Sequence, residues 1–174
     1  MSIPTRKICL VGDFAVGKTS LIRRFVDRQF SDDYLSTVGV KISRKKITFF
    51  SDQEISLRTF QLIIWDIEGQ TKFRNIAPSY LQGAKGAILV ADVSRPQTID
   101  HLLDHQKLFF SINPEGQVAI ALNKSDLLTA EELDTLLNQT PIVDPERVLK
   151  INLTSAKTGK QVDHLFQVLA SGIA

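Results

Sequence analysis

The chain has 174 residues and a mass of 19.4 kDa, and its 21 Lys and Arg stand against 19 Asp and Glu, a formal charge of +2. That length suits one domain over residues 1–174, and so small a net charge excludes the basic footprint expected of a nucleic-acid-binding protein. With 43% hydrophobic and 23% charged residues, the composition also excludes a disordered or fibrous chain. The one cysteine, Cys9, can form neither an intramolecular disulfide nor a thiolate zinc site, so a reducing, cytoplasmic setting is expected. No run of about 18 apolar residues is present to span a bilayer. Ser2 in place of Gly and the ending SGIA leave no residue for myristoylation or prenylation, so any membrane contact is expected to come through a partner.

Short apolar runs alternate with amphipathic stretches, the pattern of an α/β domain. Lys7–Val11 reads as a buried strand ended by Gly12, and Thr19–Arg28 as a helix with Leu21, Ile22, Phe25 and Val26 on one face. Val40–Phe50 alternates apolar and basic residues, as a half-exposed edge strand does. A polar turn at Ser51–Glu54 leads to a second strand at Ser56–Trp65, so these two are expected to form an antiparallel hairpin. Gly86–Ala91, Val118–Leu122 and Arg147–Asn152 complete six strands. Helices are predicted over Thr98–Phe110, Thr129–Asn138 and Gln161–Ala170, the second opened by a Thr129/Glu132 capping box. The expected architecture is a mostly parallel six-stranded sheet with one antiparallel strand and helices on both faces.

Gly12-Asp13-Phe14-Ala15-Val16-Gly17-Lys18-Thr19 is a complete G-x-x-x-x-G-K-[ST] run between a predicted strand and a predicted helix. Its glycines let successive N–H groups turn toward phosphate oxygens at the positive end of a helix. Lys18 supplies a charge for the β- and γ-phosphates, and the Thr19 hydroxyl can ligate Mg²⁺. A nucleoside triphosphate site is therefore expected, which by itself admits kinases, ATPases and GTPases. Asn123-Lys124-Ser125-Asp126 follows a strand, where ligand crevices of doubly wound sheets lie. The Asp126 carboxylate can accept two N–H bonds from guanine, and adenine offers no such pair. Ser155-Ala156-Lys157, after the last strand, offers a backbone N–H to the guanine oxygen.

With these motifs in order, the chain resembles the Ras-superfamily small GTPases, and within them the Rab branch most. Tyr34–Val40 resembles the family's first switch, Trp65–Gln70 its second, and Ser79–Ala84 the Rab-type stretch behind it. The resemblance implies a small G-domain of the P-loop NTPase kind binding GTP or GDP with Mg²⁺. It implies that Thr37 binds the metal and senses the γ-phosphate, and that Asp66 holds the metal through water. Gly69 would contact the γ-phosphate through its N–H, Gln70 would orient the attacking water, and Phe30 would pack on the guanine or ribose. Asp13, Phe14, Ala15, Val16, Gly17, Ser20, Tyr34 and Leu127 complete the expected nucleotide contacts. Effectors at the two switches, exchange proteins and activating proteins are the implied partners, around a monomer.

Three residues depart from the family pattern. Phe14 stands where a small residue is usual, and a benzyl group there can crowd Gln70 and bar an arginine finger. Glu68 replaces an alanine, which puts a carboxylate near the phosphate and metal. Lys41 replaces an acidic residue and sets the usual Rab partners in doubt. Slow unaided hydrolysis is expected, at or below about 10⁻⁴ s⁻¹. The alternative is a module that holds GTP, with turnover suppressed by Phe14 and Glu68; a small-molecule kinase is a weaker third. Elsewhere, His101 and His105 are four apart, a metal-pair spacing that reads better as an exposed helical face. His164 reads as structural and Cys9 as core. Lys41, Arg44, Lys45 and Lys46 read as a charged edge strand, which discourages edge-to-edge pairing.

Overall fold

In the computed structural model, which describes residues 3–34, 36–51, 55–69 and 75–174, the six predicted strands are all present. They are β1 (Thr5–Gly12), β2 (Val40–Ser51), β3 (Ser56–Ile67), β4 (Gly86–Asp92), β5 (Gln117–Asn123) and β6 (Val148–Leu153). The sheet order is β2-β3-β1-β4-β5-β6. β2 and β3 pair antiparallel from Val40 opposite Ile67 to Ser51 opposite Ser56, and every other pairing is parallel. The basic strand β2 is an edge strand, as its alternation predicts; of its expected turn, residues 52–54 lie outside the described residues.

Successive side chains of a strand face opposite sides of a sheet, and β1 shows it. Ile8 and Leu10 enter one core with Leu21 and Phe25 of α1 (Lys18–Asp27) and Leu165 and Phe166 of α6 (Val162–Gly172). Cys9 and Val11 enter the other core, with Leu81 of α2 (Pro78–Leu81) and Ile99 of α3 (Pro96–Asp100). Leu102 and Phe109 of α4 (Leu102–Ile112) and Leu133 of α5 (Ala130–Gln139) complete that second layer. The Cys9 thiol is fully buried, and burial pushes its pKa up to about 12, which suits a packing role.

Two helical details are informative. The Thr129/Glu132 capping box forms in both directions, with Glu132 N–H donating to Thr129 Oγ1 and Thr129 N–H to Glu132 Oε2. The single helix predicted over Thr98–Phe110 is instead two, beginning two residues earlier at Pro96, whose fixed φ suits a first helical position. They meet at His101, whose N–H bonds back to both Gln97 and Ile99 carbonyls in a tightened turn.

The parallel strands all end on one side of the sheet, which gathers the loops after β1, β3, β4, β5 and β6 at one rim. That rim is fixed by the α1–α6 layer, where Phe25 and Phe166 stack with ring centroids 4.0 Å apart and planes 2° from parallel. Phe166→Ala should cost about 3–5 kcal/mol, because it opens a void under α1. Denaturant unfolding would show this as a lower midpoint, whereas Gln167→Ala on the exposed face of α6 should stay within about 0.5 kcal/mol.

Candidate functional site

The loop after β1 turns tightly enough to need left-handed backbone at Ala15 (φ 60°) and Gly17 (φ 102°). A Cβ on Gly17 would fall 2.3 Å from Asn123 Nδ2, so the loop can sit on Asn123 only with glycine there. α1 starts at the next residue with no acidic side chain in its first turn, leaving its N-terminal N–H groups for an anion. Lys18 is buried, and its Nζ donates to the Gly12 carbonyl at 3.0 Å and the Asp13 carbonyl at 2.8 Å. Burial brings its pKa down to about 8 against the opposing charges of Asp66 and Asp13. A desolvated cation resting on two neutral carbonyls is poised to gain from a phosphate.

Thr19, Thr37 and Asp66 converge beside it. Thr19 Oγ1 donates to Asp66 Oδ2 at 2.6 Å and lies 2.8 Å from Thr37 Oγ1, which itself is 3.4 Å from Asp66 Oδ2. Asp66 Oδ1 is buried and has no hydrogen-bond partner among the described residues. Burial raises the Asp66 pKa, and the Thr19 bond and Lys18 charge only partly offset it. An under-neutralised carboxylate beside two hydroxyls is an all-oxygen donor set, which fits a hard divalent cation such as Mg²⁺.

The other end of the cleft is built on Asn123. Its Nδ2 donates to the Val16 carbonyl at 3.0 Å, while its Oδ1 accepts from Thr154 Oγ1 at 3.1 Å and Ala156 N–H at 3.3 Å. Lys124 takes a left-handed φ of 63°, which costs roughly 1–2 kcal/mol for a non-glycine residue. Its Nζ bridges the Ala15 carbonyl at 2.9 Å and Asp92 Oδ2 at 2.7 Å. Beyond this turn Asp126 is exposed, with Ser155 Oγ donating to its Oδ1 at 2.6 Å. Arg24 of α1 ties down the last loop by donating to the Ala156 and Lys157 carbonyls.

Together these segments enclose a cleft of about 310 Å³. Its walls include Phe14, Ala15, Gly17, Lys18, Thr19, Ser20, Phe30, Tyr34, Thr37, Gly69, Asn123, Lys124, Asp126, Leu127, Ala156 and Lys157, all read from the sequence as nucleotide contacts. Asp13, Val16, Asp66 and Ser155 stand behind that wall: Val16 in the core, Asp66 behind the two threonines, Ser155 under Asp126. Arg23, Ser31, Asp32, Asp33 and Ile67 also line it, and no motif announces them. Gln70 lies outside the described residues.

Two expectations about side-chain direction, for Glu68 and His105, are corrected, and the Phe14 ring is placed. Glu68 does not line the cleft; its Oε2 accepts from Gly39 N–H at 3.0 Å, drawing the carboxylate toward the end of the first switch. Phe14 turns its ring edge-on to Tyr34 with centroids 5.4 Å apart. His101 is exposed, as expected of the helical face, but His105 is not. His105 is buried, and His105 Nε2 and His101 Nδ1 lie 3.0 and 2.5 Å from the two carboxylate oxygens of Asp13. The Asp13 side chain therefore faces α3 and α4. Burial raises the Asp13 pKa, but the two imidazole bonds and charges outweigh it and hold the carboxyl below its usual range.

A lowered folded-state pKa makes a stability contribution that is full above the unfolded value of about 3.9 and lost as pH falls through the folded value. Asp13→Asn should therefore be less stable than the parent at neutral pH. The gap should persist to about pH 5 and close only below about pH 4 in paired denaturant titrations.

Comparison with known proteins gives the same direction as the geometry. The family model described as "Ras of Complex, Roc, domain of DAPkinase" matches residues 7–126. The chain is similar to the Ras-related protein Rab-13 of Mesocricetus auratus, 32% identical over 168 residues covering 96% of this chain and 79% of that protein. It is similar to RABF2b of Arabidopsis thaliana at 36% over 166 residues, covering 94% of this chain and 78% of the relative. SEC4 of Saccharomyces cerevisiae is 32% identical over 169 residues, with 94% and 73% covered. Matches that run from the phosphate loop through the guanine-type Asn123–Asp126 segment, over nearly the whole chain, establish that it belongs to the Ras-type small GTPases, GTP-binding hydrolases, with Rab proteins among its relatives.

Proposed function

We propose that the chain, acting as one domain, binds GTP and GDP with Mg²⁺ in this cleft, hydrolyses GTP slowly unaided, and shows effectors a different surface in each state. The knot of Thr19, Thr37 and Asp66 is the observation that carries the reading, because it ties the first switch to the phosphate loop and to β3 at the expected metal position. Thr19, Thr37 and Asp66 would hold Mg²⁺, which would supply neutralisation of phosphate charge. Lys18 and the α1 N–H groups hold the phosphates, the Gly69 N–H meets the γ-phosphate, and Gln70 orients the attacking water. Loss of the γ-phosphate removes partners from Thr37 and Gly69, so both switches loosen. A Cβ on Gly69 would fall 2.4 Å from Phe14 Cα, which supports its close approach to the phosphate loop.

At the base end, Ser155 orients the Asp126 carboxylate toward the ring N1–H and amino group of guanine, with Leu127 and Phe30 against its faces. Partners on this reading are effectors at the switches, together with exchange and activating proteins. The protein acts as a monomer in the cytoplasm and reaches a membrane through a partner. A second reading, a GTP-holding module, is favoured by the Phe14–Tyr34 contact, which sets an aromatic pair at the phosphate end of the cleft. Glu68, turned to Gly39, gives that reading no support.

Single-turnover hydrolysis of preloaded GTP with Mg²⁺, followed by chromatography from minutes to hours, separates the two. Conversion to GDP that stops in Gln70→Leu is the expected result; intact, tightly held GTP identifies the holding module. Failure to load any guanine nucleotide sinks both. Asp126→Asn should weaken GTP binding by at least about 10²-fold. The same variant should gain affinity for XTP, whose ring carbonyl replaces the guanine amino group and accepts from an amide.

A further inference from the structure

Arg95 belongs to none of the expected contacts, yet it stands beside the phosphate loop. It leads from β4 into α3, its Nη2 donates to the Phe14 carbonyl at 2.6 Å, and its Nε lies 3.3 Å from Asp92 Oδ2. Phe14 lines the cleft with Lys18, Thr37 and Gly69, so the guanidinium sits on a residue of the phosphate wall. Its positive charge is felt at both Lys18 and the Tyr34 hydroxyl.

We propose that Arg95 is this chain's own catalytic arginine, a cation that swings from the Phe14 carbonyl onto the β- and γ-phosphate oxygens as GTP is hydrolysed. The proposal rests on the GTPase reading above. In that step the water oxygen bonds to the γ-phosphorus, and the bond from phosphorus to the β–γ bridging oxygen breaks. The bridging oxygen keeps the electron pair on GDP, and the protons of the water leave with the phosphate product and solvent. Negative charge grows on the bridging and β-oxygens, where a guanidinium fork is most useful.

Leaving its resting place strands nothing. Asp92 keeps Lys124 at 2.7 Å, together with the Ser94 N–H at 2.9 Å and the Ser94 hydroxyl at 2.6 Å. The bond to the Phe14 carbonyl is at the surface, where water can replace it, and the Arg95 side chain is 34% exposed. Phe14 gives the device a reason. Its ring, edge-on to Tyr34, stands in the wall of the cleft, where a benzyl group can bar a partner's arginine, and a cation from within the chain would not meet that barrier. Phe14 alone suggests turnover at or below about 10⁻⁴ s⁻¹; with Arg95 the expected unaided rate moves toward the roughly 10⁻² s⁻¹ of GTPases with an arginine in cis.

The test uses the whole chain loaded with nucleotide and Mg²⁺. Arg95→Ala should slow single-turnover hydrolysis by about ten- to a hundredfold and leave GDP affinity within about threefold. Arg95→Lys should stay close to Arg95→Ala, because a point charge lacks the fork. A second readout needs no turnover: the protein with GDP should bind fluoroaluminate without any partner. That planar anion stands in for the transferring phosphoryl group and is retained where transition-state charge is met. Both arginine variants should lose it. Equal hydrolysis rates in parent and Arg95→Ala, or no fluoroaluminate binding by the parent, would overturn the proposal. A parallel loss of GDP affinity and rate would also overturn it, showing a loop strut in place of a catalytic group. Absence of GDP binding in the parent marks failure of the GTPase reading itself, and is seen before any variant is made.

Discussion

The buried Asn123 amide is the constraint on which the site depends. One side chain closes on the phosphate loop through Val16, on the end of β6 through Thr154, and on the last loop through Ala156. An amide can satisfy these partners at once because it carries both donors and an acceptor; an aspartate could serve only the accepting side and a leucine neither. In the buried setting an unpaired group would cost about 1–3 kcal/mol, so the loops are held in one arrangement by mutual need. Gly17 follows from this, since the loop rests close enough to Asn123 to exclude a Cβ. The phosphate end and the base end of the cleft are thereby one rigid piece, with Lys124 and Arg24 as outer ties.

Against that rigid piece stand groups with unmet electrostatic demand. Lys18 is desolvated and opposed only by carbonyl dipoles and nearby carboxylates. Asp66 is buried with one oxygen unpartnered among the described residues. The two charges are of opposite sign and favour each other, but burial outweighs that attraction at both, so each stands to gain from something that enters the cleft. A phosphate and a divalent ion meet both demands together, which is why the two are expected to bind cooperatively. The strain at Ala15 and Lys124 is stored where that chemistry is placed.

Much of this was legible in the sequence because the signals are local. The phosphate loop, the Asn123–Asp126 segment and the Thr129 capping box are each defined within a few residues, and alternation in β2 marked it as an edge. The directions of side chains that depend on distant partners were not legible. His101 and His105 show a helical spacing, but nothing local says that Asp13, some ninety residues earlier in the chain, comes to meet them. Glu68 is likewise turned by a backbone N–H near the start of β2. Arg95 had no motif at all; its interest comes from the Phe14 carbonyl brought beside it by the β1–β4 pairing. Spacing reports which face a residue occupies, and tertiary contact decides what that face sees.

The link between Gly39 and Glu68 carries one more consequence. Glu68 N–H donates to the Gly39 carbonyl at 2.9 Å while Gly39 N–H donates to the Glu68 carboxylate at 3.0 Å. This double clasp extends the β2–β3 ladder just past Val40 and Ile67, two residues from Thr37 on one strand and one from Gly69 on the other. The two loops therefore leave the sheet bonded to each other. A protein that displaced one loop near this clasp would have to break these bonds or carry the neighbouring loop with it.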